Sequence, residues 1–90
     1  MAEQSSDKLI IYGTVWCGMC RRTRAYLDSQ QIPYEFINID NNQAAGAFVE
    51  KVNRGYRSVP TLVSPDGGIL VEPNESQLVA WLDTHLVREV

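Results

Sequence analysis

The run KLIIYG, residues 8–13, is apolar almost throughout and stops at a glycine. A short, nearly continuous apolar run of this kind predicts a strand buried on both faces. Behind it, Gly18 to Gln30 holds mostly good or acceptable helix residues, and Pro33 blocks continuation, so a first helix is predicted there. YEFINI, residues 34–39, alternates and carries isoleucine and aromatics, which reads as a second strand. Asp40, Asn41 and Asn42 offer caps for a second helix through AAGAFVEKVN, where Ala45, Phe48, Val49 and Val52 share one face. After the loop RGYRS comes VPTLVS; Pro60 lacks a ladder donor and must begin or precede a strand, leaving Thr61–Ser64 as the third. PDGG, residues 65–68, is a hairpin turn, and GILV returns as the partner strand. Asn74 with Gln77 three positions on resembles a capping box for a last helix bearing Leu78, Val79, Trp81, Leu82 and Leu86. The order β-α-β-α-β-β-α predicts an α/β domain. A right-handed parallel crossover followed by an antiparallel hairpin gives a four-stranded mixed sheet flanked by three helices, with helices on both faces.

Composition narrows the function classes. Ninety residues make one domain, near the lower end for a chain that folds without staples. A net charge of −3 is no footprint for nucleic acid, which needs a strongly basic face. No apolar run approaches the ~20 residues of a membrane span. The start, MAEQSSDK, has neither the basic nor the apolar region of a secretory signal. It predicts a flexible tail over residues 1–7, a folded domain over 8–90 and a cytoplasmic location.

The chemistry is concentrated in TVWCGMCRRTR, residues 14–24, which hold both cysteines, Cys17 and Cys20. A pair three positions apart closes too small a loop to staple a fold. A closed zinc site needs four ligands, and only His85 remains beside the pair, so no metal is expected. A cytosolic C-x-x-C beside a βαβ pattern is the redox arrangement. Cys17 falls at the junction of first strand and first helix, where free N–H groups and the helix dipole favour a thiolate. Cys20, one turn on, is placed to attack a mixed disulfide formed at Cys17. Arg21, Arg22 and Arg24 either add positive potential there or form a solvated helix face.

W-C-G-M-C after the first strand, V-P-T before the third and the P-D-G-G hairpin resemble the glutaredoxins of the thioredoxin superfamily, over about Lys8 to Leu86. The resemblance implies the thioredoxin/glutaredoxin fold and a thiol–disulfide oxidoreductase acting on mixed-disulfide proteins. It implies no tightly bound cofactor, and a monomer. The family's cis-proline matches Pro60, and the backbone of Val59 before it would pair with the bound thiol or peptide. Two departures bear on the small thiol. Glutathione-using members carry a lysine where this chain has Thr14, and a glycine pair where it has VEPNES, residues 71–76. Trp16, the G-x-R-x-V-P type loop and the P-N element opening the last helix look more like mycoredoxins, actinobacterial relatives that reduce mixed disulfides with mycothiol. Mycothiol is therefore favoured over glutathione as co-substrate.

Two other readings stay open. GYRSVP resembles the loop of redoxins that serve ribonucleotide reductase and are recharged by a flavoprotein reductase, although their W-S-G-F-R-P-D element is missing. Some relatives instead assemble a [2Fe–2S] cluster across a homodimer, and Gly18 leaves the cysteine loop less rigid than the proline of commoner members. Around the pair, Trp16 is either a hydrophobic lip for substrate or a strand-end anchor, and Met19 is expected to be exposed and to shape the docking surface. Arg54 and Arg57 precede Pro60, and Arg57 is the better placed to hold a carboxylate of a thiol ligand. Tyr12 and Tyr56 either pack beside the sulfur or fill sheet edges. His85, near the last helix's end, reads as a surface cation at the dipole's negative pole.

Overall fold

The computed structural model describes residues 8–86. The tail expected over residues 1–7, and the end of the domain over 87–90, lie outside the described residues. In chain order the elements are β1 (Leu9–Gly13), α1 (Gly18–Ser29), β2 (Tyr34–Asn38), a single 3-10 turn (Ile39–Asn41), α2 (Gln43–Val52), β3 (Thr61–Val63), β4 (Ile69–Val71) and α3 (Glu75–His85). The sheet runs β2-β1-β3-β4. β1 is parallel to β2, with Leu9 beside Tyr34 and Gly13 beside Asn38, and β3 is antiparallel to both β1 and β4. Parallel pairing needs a long crossover, which α1 supplies; the Pro65–Gly68 turn is short enough only for antiparallel return. The fold is thioredoxin-like.

The apolar run at β1 is explained by its two covered faces. Leu9 and Ile11 join Leu27 of α1, Ile32, Leu62 of β3, and Leu78, Trp81 and Leu82 of α3 in the larger core. Tyr12 points to the other face, where Ile39, Ala45 and Val49 form a second core with Phe48 and Val59 packed against it. A period of two thus sends alternate side chains into two different cores.

Strand and helix ends follow local hydrogen bonds. β2 stops one residue short of the expected Ile39 because the Asn38 side chain accepts the Asp40 N–H at 3.0 Å and turns the chain into the 3-10 turn. Of the three cap residues offered for α2, Asn42 does the work, accepting the Ala45 N–H at 3.0 Å. The capping box of α3 is formed in full: Asn74 Oδ1 accepts the Gln77 N–H at 2.8 Å, and Gln77 Oε1 accepts the Asn74 N–H at 2.9 Å. β3 ends at Val63 and β4 begins at Ile69, each a residue inside the expected bound. Ser64 and Gly68 belong to the turn instead, the Gly68 N–H donating to Ser64 Oγ at 2.9 Å. No helix among the described residues is long and apolar enough to cross a membrane.

Candidate active site

β1 delivers the chain to Gly13, and α1 begins at Gly18, so the window between them lies at the carboxyl end of a central strand. Cys17 is the N-cap of α1, in extended backbone at φ −82° and ψ 117°. Its Sγ accepts the Cys20 N–H at 3.1 Å, the bond a serine or aspartate oxygen makes at an ordinary cap. This places the sulfur at the N-terminal end of the helix, where the first backbone N–H groups lack intrahelical partners. Cys17 is half-buried and Cys20 is 0% exposed; both are free thiols.

Cys20 is sealed because Gly13 has no side chain. A Cβ at Gly13 would stand 2.8 Å from Cys20 Sγ, closer than real side chains approach, and a tight 3.1 Å from Cε1 of Phe36. Burial pushes the Cys20 thiol up to about 12, and its hydrogen bond to Cys17 adds to the rise, while the Thr14 backbone and the Arg24 charge act in the opposite direction. At neutral pH Cys20 therefore holds its proton and donates it toward Cys17. The two sulfurs are chemically unequal: one reachable, one buried and protonated.

Across from Cys17 lies the loop ending in a cis peptide bond between Val59 and Pro60. Cys17 Sγ is 4.0 Å from the Val59 carbonyl oxygen. Pro60 is buried, and its carbonyl accepts the Glu72 N–H at 2.9 Å, fixing the loop to the end of β4. Asn53 donates to Val49 O and Thr61 Oγ1 at 2.9 and 3.1 Å, and Thr61 Oγ1 donates to Ser58 O at 2.8 Å.

The remaining predicted residues divide. Trp16 is 67% exposed beside Cys17, and its indole N–H donates to Asp40 Oδ2 at 2.8 Å. Arg57 is engaged within the protein: Nη2 is 3.8 Å from Asp40 and donates to Ile39 O at 3.4 Å, and Nη1 is 3.6 Å from Glu50. Its guanidinium lies across Gly46, where a Cβ would come within 2.6 Å of Nη1. Trp16, Asp40, Arg57 and Glu50 thus form one chain of contacts running from the cysteine loop to α2. Gly18 is half-buried with room above it, a Cβ there meeting only Arg22 Nη1 at 3.6 Å.

Met19 corrects an expectation. It is half-buried rather than exposed, because it lines a groove of about 280 Å³ with Arg22, Thr23 and Tyr26 of α1 and with Pro73, Asn74, Glu75 and Leu78 at the start of α3. Tyr12 packs on Phe48, ring centres 5.0 Å apart, whereas Tyr56 is exposed. Arg54 stands exposed in left-handed backbone at φ 59°. His85 is tied into the fold: Nδ1 lies 3.1 Å from Asp66 Oδ2, and the ring packs on Trp81 at 5.3 Å.

Three residues of the site were not singled out from the sequence. Asp40 read only as a helix cap, Gly13 only as a strand end, and Arg24 only as one of three arginines. The available signal was spacing: Arg24 is four residues after Cys20, hence on the same helical face. Among the described residues no group of three or more histidine, cysteine or acidic side chains is arranged to hold a metal ion.

A dithiol at a helix start, facing a cis-proline loop on a thioredoxin-like sheet, defines a class of redox proteins. Within that class the chain belongs to the glutaredoxin family, whose sequence profile matches residues 9–68. It is 42% identical over 74 residues to a Mycobacterium tuberculosis protein provisionally described as a glutaredoxin, covering 82% of this chain and 88% of that one. It is 37% identical over 77 residues to Mycoredoxin 1 of Corynebacterium glutamicum, covering 86% and 95%. Among solved structures, a glutaredoxin from Archaeoglobus fulgidus superposes with a TM-score of 0.68 at 30% identity, over 86% of this chain and 87% of that one. The likeness to mycoredoxins expected from the sequence is thus found in the comparisons as well.

Proposed function

We propose that this protein reduces mixed disulfides through Cys17 and Cys20, with mycothiol as electron donor, in the reducing cytoplasm and as a monomer. The observation that carries the reading is Cys17 Sγ at the N-cap of α1, half-buried and 4.0 Å from the carbonyl of a cis Val59–Pro60 bond. Cys17 attacks one sulfur of the substrate disulfide and releases the other partner as a thiol. The resulting mixed disulfide is then opened either by Cys20 or by an external thiol.

The choice of mycothiol rests on four local features and on the likeness to Mycoredoxin 1. Thr14 stands, 2% exposed, where a lysine would meet a glutathione carboxylate. The Asn74 and Gln77 N–H groups at the start of α3 are consumed by the capping box, and Pro73 has no N–H. Glu72, exposed at that turn, repels a carboxylate. Arg57 already faces Asp40 and Glu50. A peptide thiol with two carboxylates finds little to hold it, whereas a thiol whose bulk is sugar offers hydroxyl groups instead. Losing one charge-assisted contact costs ~1.5–3 kcal/mol, and about 1.4 kcal/mol is tenfold in affinity.

The test is turnover of a small mixed disulfide coupled separately to the mycothiol, glutathione and thioredoxin reductase systems. Mycothiol should support it at least tenfold better than glutathione. Cys17→Ser should be inactive with every donor, and Cys20→Ser should retain the small mixed disulfide while losing protein disulfides. Equal turnover with glutathione would return the protein to the glutathione-dependent members, and turnover with thioredoxin reductase would make it a redoxin of the reductase-charged kind.

A further inference from the structure

Cys20 must lose a proton before it can resolve anything, and it sits where a thiolate is costly. The titratable groups that face it are Cys17 at the start of the helix and Arg24 one turn on. β1 contributes Gly13, the residue after it is Thr14, and β2 contributes Phe36, none of which titrates.

Arg24 is held in an uncommon way. Its guanidinium carbon lies 4.0 Å above the centre of the Phe36 ring. Cε1 of the same ring and Cys20 Sγ both crowd the point where a Gly13 Cβ would be, at 3.1 and 2.8 Å. Arg24 Nε is buried, and it has no hydrogen-bond partner among the described residues. A cation stacked on a ring beside a buried thiol, with a buried N–H unsatisfied, is in place for an anion that appears only during the reaction.

We infer that Arg24 is a positioning residue for the resolving step, its charge stabilising the Cys20 thiolate that attacks the mixed disulfide at Cys17. The inference rests on the dithiol reading above. In the reduced protein, burial and the hydrogen bond to Cys17 keep Cys20 protonated. Once Cys17 Sγ is bonded to a substrate sulfur, it is a weaker acceptor for that proton. The Thr14 backbone and Arg24 then act on Cys20 against less opposition, and Arg24 is the only full charge of the two. Cys20 gives up its proton, its sulfur bonds to Cys17 Sγ, and the Cys17–substrate S–S bond breaks, the proton balance closing on the leaving sulfur. The substrate leaves as a thiolate and takes up a proton. The pair ends oxidised, and the substrate thiol is reduced by the same two electrons.

The experiment uses an aromatic disulfide, 5,5′-dithiobis(2-nitrobenzoate), mixed with the fully reduced protein in stopped flow. The first coloured thiolate reports attack by Cys17, and the second reports resolution by Cys20. Arg24→Met keeps an apolar stem over Phe36 and removes the charge; Arg24→Lys keeps the charge. Arg24→Met should slow the second phase about three- to tenfold at neutral pH and move its rate–pH midpoint upward, because a thiolate made scarcer is only partly compensated by higher nucleophilicity. The first phase should stay within about twofold, and Arg24→Lys should recover most of the second. In a Cys20→Ser background the second phase disappears and Arg24→Met should change nothing that remains. An unchanged second phase in Arg24→Met, or equal slowing in the Met and Lys variants without a midpoint shift, overturns the inference. Neither outcome touches the dithiol reading, which fails instead if the Cys17→Ser protein still releases the first thiolate.

Discussion

One hydrogen bond spanning 24 residues fixes where the Trp16 ring sits. The sequence alone left it as lip or anchor, because its partner Asp40 is remote in the chain and read only as a helix cap. The indole N–H is held by Asp40, and most of the ring stands in solvent beside Cys17. Rigid aromatic surface is what protein partners bind most strongly. Asp40→Ala should therefore raise KM for a protein mixed disulfide several-fold with kcat within about twofold, and should lower the indole's fluorescence anisotropy. Asp40→Asn retains an acceptor oxygen and should stay close to the parent in both measurements. Single positions were legible where spacing alone fixed them: Cys17 at a strand–helix junction, Cys20 one turn later. Arg57 was not, because its pairing depends on Asp40, Glu50 and the bare backbone of Gly46, brought together from three separate segments.

α3 is fastened at both ends, by its capping box at the start and by His85 on Asp66 at the finish. Asp66 sits in the β3–β4 turn. Hydrogen bonds from Ser64, then His85, then the Gly68 N–H hold its carboxyl down to about 2. A carboxyl depressed in the folded state contributes stability that is present above its unfolded value and is lost as pH falls through the folded one. Between about pH 4 and pH 2 the parent protein should therefore lose thermal stability more steeply than Asp66→Asn, which has no charge to neutralise. Melting temperature against pH for the two proteins measures this directly. The hairpin and the capping box were both legible because their signals are contiguous in the chain. The 3-10 turn was not: Ile39 continues the apolar alternation of β2, and only the Asn38 side chain on the Asp40 N–H breaks it.

The order of strands and helices, and their distribution over both faces of the sheet, followed from apolar periodicity and one crossover rule. Tertiary closeness did not, and the packing of α1 on β1 shows why. Gly13 lets the helix approach until Cys20 is excluded from water, a relation that no local pattern announces. That closeness gives the protein an internal stopwatch. In Cys17→Ser the one remaining thiol can meet an alkylating reagent only when α1 lifts from β1, so its labelling rate counts opening events of the folded protein. With reagent in the regime where reclosing outpaces modification, the observed rate reads the opening free energy. Below the midpoint for denaturant unfolding, labelling should accelerate with urea more shallowly than global unfolding if α1 opens alone, and in parallel with it if the two cores come apart together.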